Sequence, residues 1–209
     1  MAVVDHLVFG ARDLASAIDS FERATGIRAE AGGAHLGLGT RNALVGLGDS
    51  YLELIGPDPN QAAPVGQRPF GIDHLDRSRF VAFAIRPDVD ESIDQLAERL
   101  GQAGFDPGPI VDMSRRRPDG VELSWRLTLP QLDTAPEVPF LIDWGATPNP
   151  SRTIAPRADI GELVVMTPRS AEIRALYTAL RVPVPVVNGA HSALIAAVRG
   201  PGGDFGTRS

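Results

Sequence analysis

Apolar and polar residues follow two periods along this chain, and the order in which those periods succeed one another repeats. The run Val3 to Phe9, VVDHLVF, is β-branched and apolar with Asp5 and His6 set inside it, the pattern of a largely buried strand. From Leu14 the period lengthens. Leu14, Ala17, Ile18, Phe21 and Ala24 fall on one face of a helix, with Asp13 placed to cap its start and Gly26 to stop it. Glycine-rich turns then separate three short strands, near His35 to Leu38, Arg41 to Leu47 and Ser50 to Ile55, and Gly48-Asp49 reads as the last hairpin turn.

The same order returns at FVAFAI (80–85), which turns at Pro87-Asp88 into a helix with the apolar face Ile93, Leu96, Ala97 and Leu100, closed by Gly104. Strands over Ile110 to Met113, Val121 to Leu129 and Phe140 to Trp144 follow, the first two separated by the turn-like RRRPDG. A third start, ELVVMTP (162–168), puts Pro168 in a first helical turn ahead of the stripe Ile173, Leu176, Tyr177 and Leu180. Strands near Val184 to Val187 and Ala193 to Val198 complete a shortened copy. Repetition at the length of one supersecondary unit predicts an α+β fold of βαβββ modules. The pattern divides the chain into paired modules over 1–145 (1–58 and 78–145), a linker or long loop over 146–159, a partial third βαββ module over 160–200 and a loose tail over 201–209.

Composition narrows the function. Apolar residues make up 43% of the 209 and charged residues 22%, so the chain is ordinary globular material. A net charge of -6 provides no field for gathering nucleic acid or an anionic membrane, and both are excluded as partners. Without cysteine there is no disulfide framework, thiolate metal site or cysteine nucleophile. The start MAVVDHLVFG lacks the basic, long-apolar form of a secretory signal, and no stretch approaches the roughly 18 apolar residues of a membrane span, so a cytoplasmic location is expected. The glycines of GLGTRNALVGLG open no helix, which removes the phosphate-loop and dinucleotide readings, and no G-x-S-x-G or H-E-x-x-H motif is present.

Two strand residues stand out chemically. Alternation places His6 on one face with Val4 and Val8, and Glu53 on one face with Tyr51 and Ile55. A buried ionised carboxylate costs several kcal/mol unless paired, hydrogen-bonded or bound to metal, so Glu53 needs a partner. Arg41 of the neighbouring strand would be one, a solvated face would remove the need, and a metal would be a third answer. Imidazole and carboxylate together are donor types that Fe, Mn, Ni and Zn accept.

The stretch DHLVFGARDLASAIDSFERATGI, followed after hairpins by YLELIGPD, resembles the vicinal oxygen chelate superfamily, the glyoxalase, bleomycin-resistance and extradiol-dioxygenase group. More narrowly it is similar to the glyoxalase-like domain proteins, with GTRNALVGLGDSYLELIGPDP the most telling stretch. The resemblance covers about residues 3 to 145 well and the third unit loosely. It implies two βαβββ modules forming a curved sheet that half encloses a cavity, with a divalent metal (Zn, Fe, Mn or Ni) held by residues of the first and last strands of each module. His6 and Glu53 fall at those positions in the first module. The second departs from the pattern: FVAFAI offers no ligand, and Asp143 in PFLIDWG is displaced by one residue, a slip that turns a strand side chain to the other face.

The metal set implied is therefore His6, Glu53 and Asp143, with Glu53 and His35 as catalytic candidates, His35 serving as a further ligand or proton-transfer group. Arg41 and Asn42 are positioned to meet a substrate carboxylate or carbonyl. In VELSWRLTL, Trp125 lies on the apolar face and Arg126 on the polar one, and alternation leaves open which lines the cavity. Trp144 is a second candidate for an apolar wall, while His74 and the basic run Arg115 to Arg117 read as surface residues. The function implied is a metal-dependent isomerase, lyase or dioxygenase that acts on a small oxygenated substrate by stabilising an enolate-like species. The alternative is a non-catalytic small-molecule binding or drug-sequestering protein of the same fold, which the missing second-module ligand favours. A small molecule and a second copy of the chain, as a homodimer, are the expected partners.

Overall fold

A computed structural model describes residues 2–64, 66–116, 120–129 and 135–206. The first unit runs β1 (Val3–Gly10), α1 (Leu14–Thr25), β2 (Glu30–His35), β3 (Thr40–Leu47) and β4 (Ser50–Pro57). Asp13 caps α1 by accepting from the Ser16 N–H at 3.2 Å, and Gly26 ends it with φ 73. The second unit runs β5 (Arg79–Arg86), α2 (Ile93–Gln102), β6 (Ile110–Arg116), β7 (Glu122–Thr128) and β8 (Phe140–Asp143). Ser92 and Gln95 form a reciprocal capping box at the start of α2.

The two units share one eight-stranded sheet in the order β2-β3-β4-β1-β5-β8-β7-β6. Within each unit the last strand lies parallel to the first, and the units meet where β1 runs antiparallel to β5. The sheet curls until its edge strands β2 and β6 approach, and the Arg115 guanidinium of β6 donates to the Gly32 carbonyl of β2 across that seam.

Strand alternation divides the side chains into two layers. Leu7, Phe9, Leu52, Leu54, Phe83, Ile85 and Leu141 face the convex side and form the main core with the helices. Val8, Tyr51, Ile55, Ala82, Ala84, Phe140 and Ile142 face the concave side.

The third unit backs the convex face. It comprises β9 (Asp159–Thr167), α3 (Ser170–Leu180), β10 (Val186–Asn188), β11 (Ala193–Gly200) and β12 (Gly203–Gly206) in a separate four-stranded sheet ordered β10-β9-β11-β12. Its pairing differs from the first two units, because β10, the strand directly after the helix, lies parallel beside β9.

Several sequence expectations shift. The strand expected at His35 to Leu38 ends at His35, because Gly37 (φ 78) and Gly39 (φ 62) turn the chain into β3. Pro168 precedes α3 instead of opening it. Residues 203–206 of the expected loose tail pair with β11, and Phe205 rests on Phe9 and Phe21 with ring centroids 4.8 and 5.1 Å away. The 146–159 stretch is packed down as well: Ile154 and Ser151 are buried, and Gly46 exchanges backbone hydrogen bonds with Pro156 and Ala158. Arg117, in the expected hairpin tip, lies outside the described residues.

Candidate functional site

The concave face of the sheet encloses a cavity of about 70 Å³. Its walls are largely apolar, with Trp125, Trp144, Phe140, Tyr51, Met113 and Leu127 among the lining side chains, and its polar groups gather at the end formed by β1 to β4. Phe70 stands at the cavity with its ring 5.7 Å from Phe140 and a left-handed backbone (φ 60), a conformation costing a non-glycine residue about 1 kcal/mol.

His6 owes its orientation to an irregularity in β1. The pairing with β5 passes from Val4 to His6 and leaves Asp5 as an extra, bulged residue. The bulge keeps both side chains inside the protein. Asp5 is fully buried and accepts from His6 Nδ1 at 2.7 Å, Trp144 Nε1 at 3.2 Å, Asn149 Nδ2 at 2.6 Å and the Arg86 guanidinium at 3.1 Å. Burial works to raise the Asp5 pKa, but the hydrogen bond and charge of His6, with Arg86 and Trp144, bring it below the ordinary carboxylate value. With its Nδ1 held by Asp5, and its ring stacked on Tyr51 at 4.6 Å, His6 turns Nε2 toward Glu53 Oε2, 3.9 Å away.

Glu53 reaches the same point from β4 and is buried. Arg41, one of the partners the sequence leaves open for it, does not meet it. Alternation on β3 sends Arg41 to the outer surface and Asn42 inward, and Asn42 Nδ2 donates to Glu53 Oε1 at 2.5 Å. His35, at the end of β2, places Nδ1 3.0 Å from Thr40 Oγ1 and Nε2 3.7 Å from Glu53 Oε1 and 3.3 Å from Asn42 Nδ2. Since Asn42 donates to Nε2, neutral His35 carries its proton on Nδ1. Burial pushes the His35 pKa below its ordinary value, Arg115 and His6 add to this, and Glu53 opposes it.

The structure thus brings His6, His35, Asn42, Glu53 and Trp125 to one cavity and leaves Arg41, Arg126 and Asp143 outside it. Arg126 makes a two-pronged ion pair with Asp94 of α2 at 2.9 and 3.2 Å, because Trp125 and Leu127 take the inward positions of β7. Asp143 accepts from the Gly145 N–H at 2.9 Å, since Phe140, Ile142 and Trp144 line the cavity and the intervening position points away. Arg115, read as a solvated tip residue, is buried in the cavity wall. The seam between β2 and β6 encloses it, and no local pattern announces that seam. Asp5 was also missed; its only sequence signal is a second polar residue beside His6 in an apolar strand. His74 is exposed, as expected.

Donor type and spacing decide whether a divalent ion suits this cluster. Donors lie about 2.0–2.2 Å from a zinc-like ion, so neighbouring donors stand roughly 3 to 3.5 Å apart. The separations of 3.9 and 3.7 Å are a few tenths wider. Among the described residues, no group of three or more His, Cys, Asp or Glu side chains is closed around a metal position. The chemistry of the donors does fit: two imidazoles with Nδ1 held by another side chain and Nε2 facing a carboxylate is how metal-binding histidines are prepared. A buried acceptor beside them, Asn42 Oδ1, has no hydrogen-bond partner among the described residues. The second unit adds no donor at the matching strands, where Ala82 and Ala84 are buried in the concave layer and Phe140 and Ile142 line the cavity.

Two βαβββ units joined through their first strands, with a polar cluster inside the curl, define a glyoxalase-type protein. A model of the glyoxalase-like domain matches residues 4–181, and the chain belongs to that family, within the vicinal oxygen chelate superfamily. Among solved structures, a hypothetical protein from Staphylococcus aureus is similar over 98% of this chain and 84% of its own, with a TM-score of 0.63 at 15% identity. Methylmalonyl-CoA epimerase from Streptomyces coelicolor, a variant in complex with 2-nitronate-propionyl-CoA, matches over 69% of this chain and 96% of its own with a TM-score of 0.44 at 17% identity. The epimerase from Mycobacterium tuberculosis matches over 66% and 84% with a TM-score of 0.39 at 18% identity. The likeness to the Staphylococcus aureus protein concerns the fold alone. No curated protein matches the sequence. Among the described residues, no helix is long and apolar enough to cross a membrane.

Proposed function

We propose that this chain is an enzyme that moves a proton next to the carbonyl of a small oxygenated molecule, an isomerase or lyase, with His6 and Glu53 at the reacting centre. The observation that carries the reading is the gap of 3.9 Å between His6 Nε2 and Glu53 Oε2 at the polar end of a buried, otherwise apolar cavity. The Glu53 carboxylate can take up a substrate proton and return it, while the lone pair of His6 Nε2 faces the same point as a ligand atom. A cavity of about 70 Å³ suits a ligand of few non-hydrogen atoms.

Donors in the cavity wall support the charge that forms. Among the described residues Trp125 Nε1 is buried without a hydrogen-bond partner, which supports a donor role toward a ligand oxygen, and the Arg115 guanidinium adds positive charge to the cavity wall. Asp5 fixes the His6 tautomer and directs Nε2 inward, as the acidic partner of a catalytic histidine does. His6 and Glu53 would hold a divalent ion, and the ion would polarise the substrate carbonyl as a Lewis acid. The alternative, a non-catalytic small-molecule binder, draws support from the apolar side chains Phe140 and Ile142 that β8 presents to the cavity.

Solvent exchange separates the two. A panel of small 2-oxo acids and hydroxyketones is incubated with the protein in D₂O, with and without Zn²⁺, Mn²⁺, Ni²⁺ or Fe²⁺, and deuterium entry at the carbon beside the carbonyl is followed by NMR. At least one compound should exchange, and His6→Ala or Glu53→Gln should slow it by about 10²-fold or more. Tight binding of a panel member with no exchange under any condition would leave the binder reading.

A further inference from the structure

We infer that the cation site of this chain is assembled wholly within its first βαβββ unit, from His6, His35, Glu53 and the side-chain carbonyl of Asn42, whose amide turns over when the ion enters. The inference rests on the proposed reading that His6 and Glu53 hold an ion, and adds which residues complete the shell.

The argument starts from an unsatisfied atom. Asn42 is buried, its Nδ2 donates to Glu53 Oε1 at 2.5 Å, and its Oδ1 has no hydrogen-bond partner among the described residues. Buried polar atoms are almost always paired, so an orphaned acceptor beside a carboxylate and two imidazoles calls for an explanation. In the arrangement described, the amide nitrogen sits between Glu53 and His35, 2.5 Å from Glu53 Oε1 and 3.3 Å from His35 Nε2. There it does what a cation would do, satisfying the carboxylate. Turning the amide by half a revolution brings Oδ1 to that position. Four donors then face one another: two imidazole nitrogens, one carboxylate and one amide carbonyl. That set suits a borderline divalent ion such as Zn²⁺, Co²⁺ or Ni²⁺.

Three features prepare the turn. Nδ1 of His6 is held by Asp5 and Nδ1 of His35 lies beside Thr40, so both rings keep Nε2 inward. Gly32 has no side chain where the amide swings: a Cβ there would lie 2.0 Å from Asn42 Oδ1. Finally, the second unit presents Ala82 and Phe140 on the strands that would otherwise complete the shell, so no competing donor comes from those positions.

The test is a Co²⁺ titration of the full-length protein, read by calorimetry and by the visible absorption of the ion. Wild type should bind one equivalent. Asn42→Leu and His35→Gln should each weaken binding by about tenfold or more, and Asn42→Asp should restore it. If both Asn42→Leu and His35→Gln bind as wild type does while His6→Ala and Glu53→Gln do not, the one-unit shell is wrong and the reading of His6 and Glu53 stands. Failure of wild type to bind, or binding indifferent to His6→Ala and Glu53→Gln, sinks that reading and the inference with it. Should Asn42→Leu not fold, the side-chain amide resonances of Asn42 in wild type decide on Zn²⁺ addition. A shift that reports loss of the Glu53 hydrogen bond supports the turn, and unchanged resonances overturn it.

Discussion

His35 is buried at the end of β2, and burial sets the sign of its effect on stability. Its pKa in the folded protein lies below the ordinary 6.5, so the unfolded chain takes up a proton at a pH where the folded one still refuses it. Above about pH 6.5 neither state is protonated and His35 costs nothing. As pH falls from there through the lower folded value, stability is progressively lost. Urea unfolding between pH 8 and pH 5 should show this loss, and His35→Gln should remove the His35 share of it. A variant whose pH slope matched wild type would mean that His35 is not held neutral by burial. The residues behind such effects were unevenly legible in the sequence. His6 and Glu53 stood out because a polar side chain inside an apolar strand needs a reason. Arg115 did not, since its burial depends on a contact with Gly32, 83 positions earlier, and its local surroundings RRRPDG read as a turn.

At the scale of strands, the alternation rule located the concave layer where a strand's register was known and failed where it was not. Asp143 needed only a one-residue error to be read as a ligand. Arg126 and Trp125 could not be ranked until β7 had a partner. The glycines of the short strand β2 leave no periodic signal to mark where it begins, and those glycines matter to the site. Gly32 lies at the irregular step between Ala31 and Gly33 in the β2–β3 pairing. A methyl group there would meet Asn42 Oδ1 at 2.0 Å and its Cγ at 2.9 Å, and Asn42 is confined by Glu53 and His35. Gly32→Ala should therefore destabilise the fold by about 1–3 kcal/mol through overpacking and also weaken Co²⁺ binding. Gly37→Ala is the control. It lies at φ 78 with nothing near its would-be Cβ, so it should cost about 1 kcal/mol of backbone strain and leave the ion site untouched. Chemical unfolding with parallel Co²⁺ titration checks both, and equal effects of the two variants on the ion would remove Gly32 from the account.

For the molecule as a whole, the third unit does what the helices of the first two cannot do alone. The convex face of an eight-stranded sheet is broad, and α1 and α2 cover part of it. The remainder is covered by β11, β12 and α3, with Phe205 set between Phe9 and Phe21, and Tyr177 against Phe83 at 6.1 Å. A buried carboxylate pins the unit at its other side: Glu137 accepts from Ser192 Oγ at 2.8 Å, Thr167 Oγ1 at 3.1 Å and Arg169 at 3.2 Å. The family match reaches residue 181, so it includes β9 and α3 and treats the buttress as part of the same domain. The repeat of element order announced this unit in the sequence. Its pairing was hidden, because which strand lies beside β9 is decided by the face it must cover. Removing residues 159–209 should bare a contiguous apolar face and leave a chain that associates, binds a hydrophobic dye and unfolds without a cooperative transition. A monomeric 1–158 chain that unfolds cooperatively and binds Co²⁺ as the full protein does would make the third unit an appendage. The opposite outcome would show that the curl of the sheet, and with it the approach of His6, His35 and Glu53, depends on support from behind.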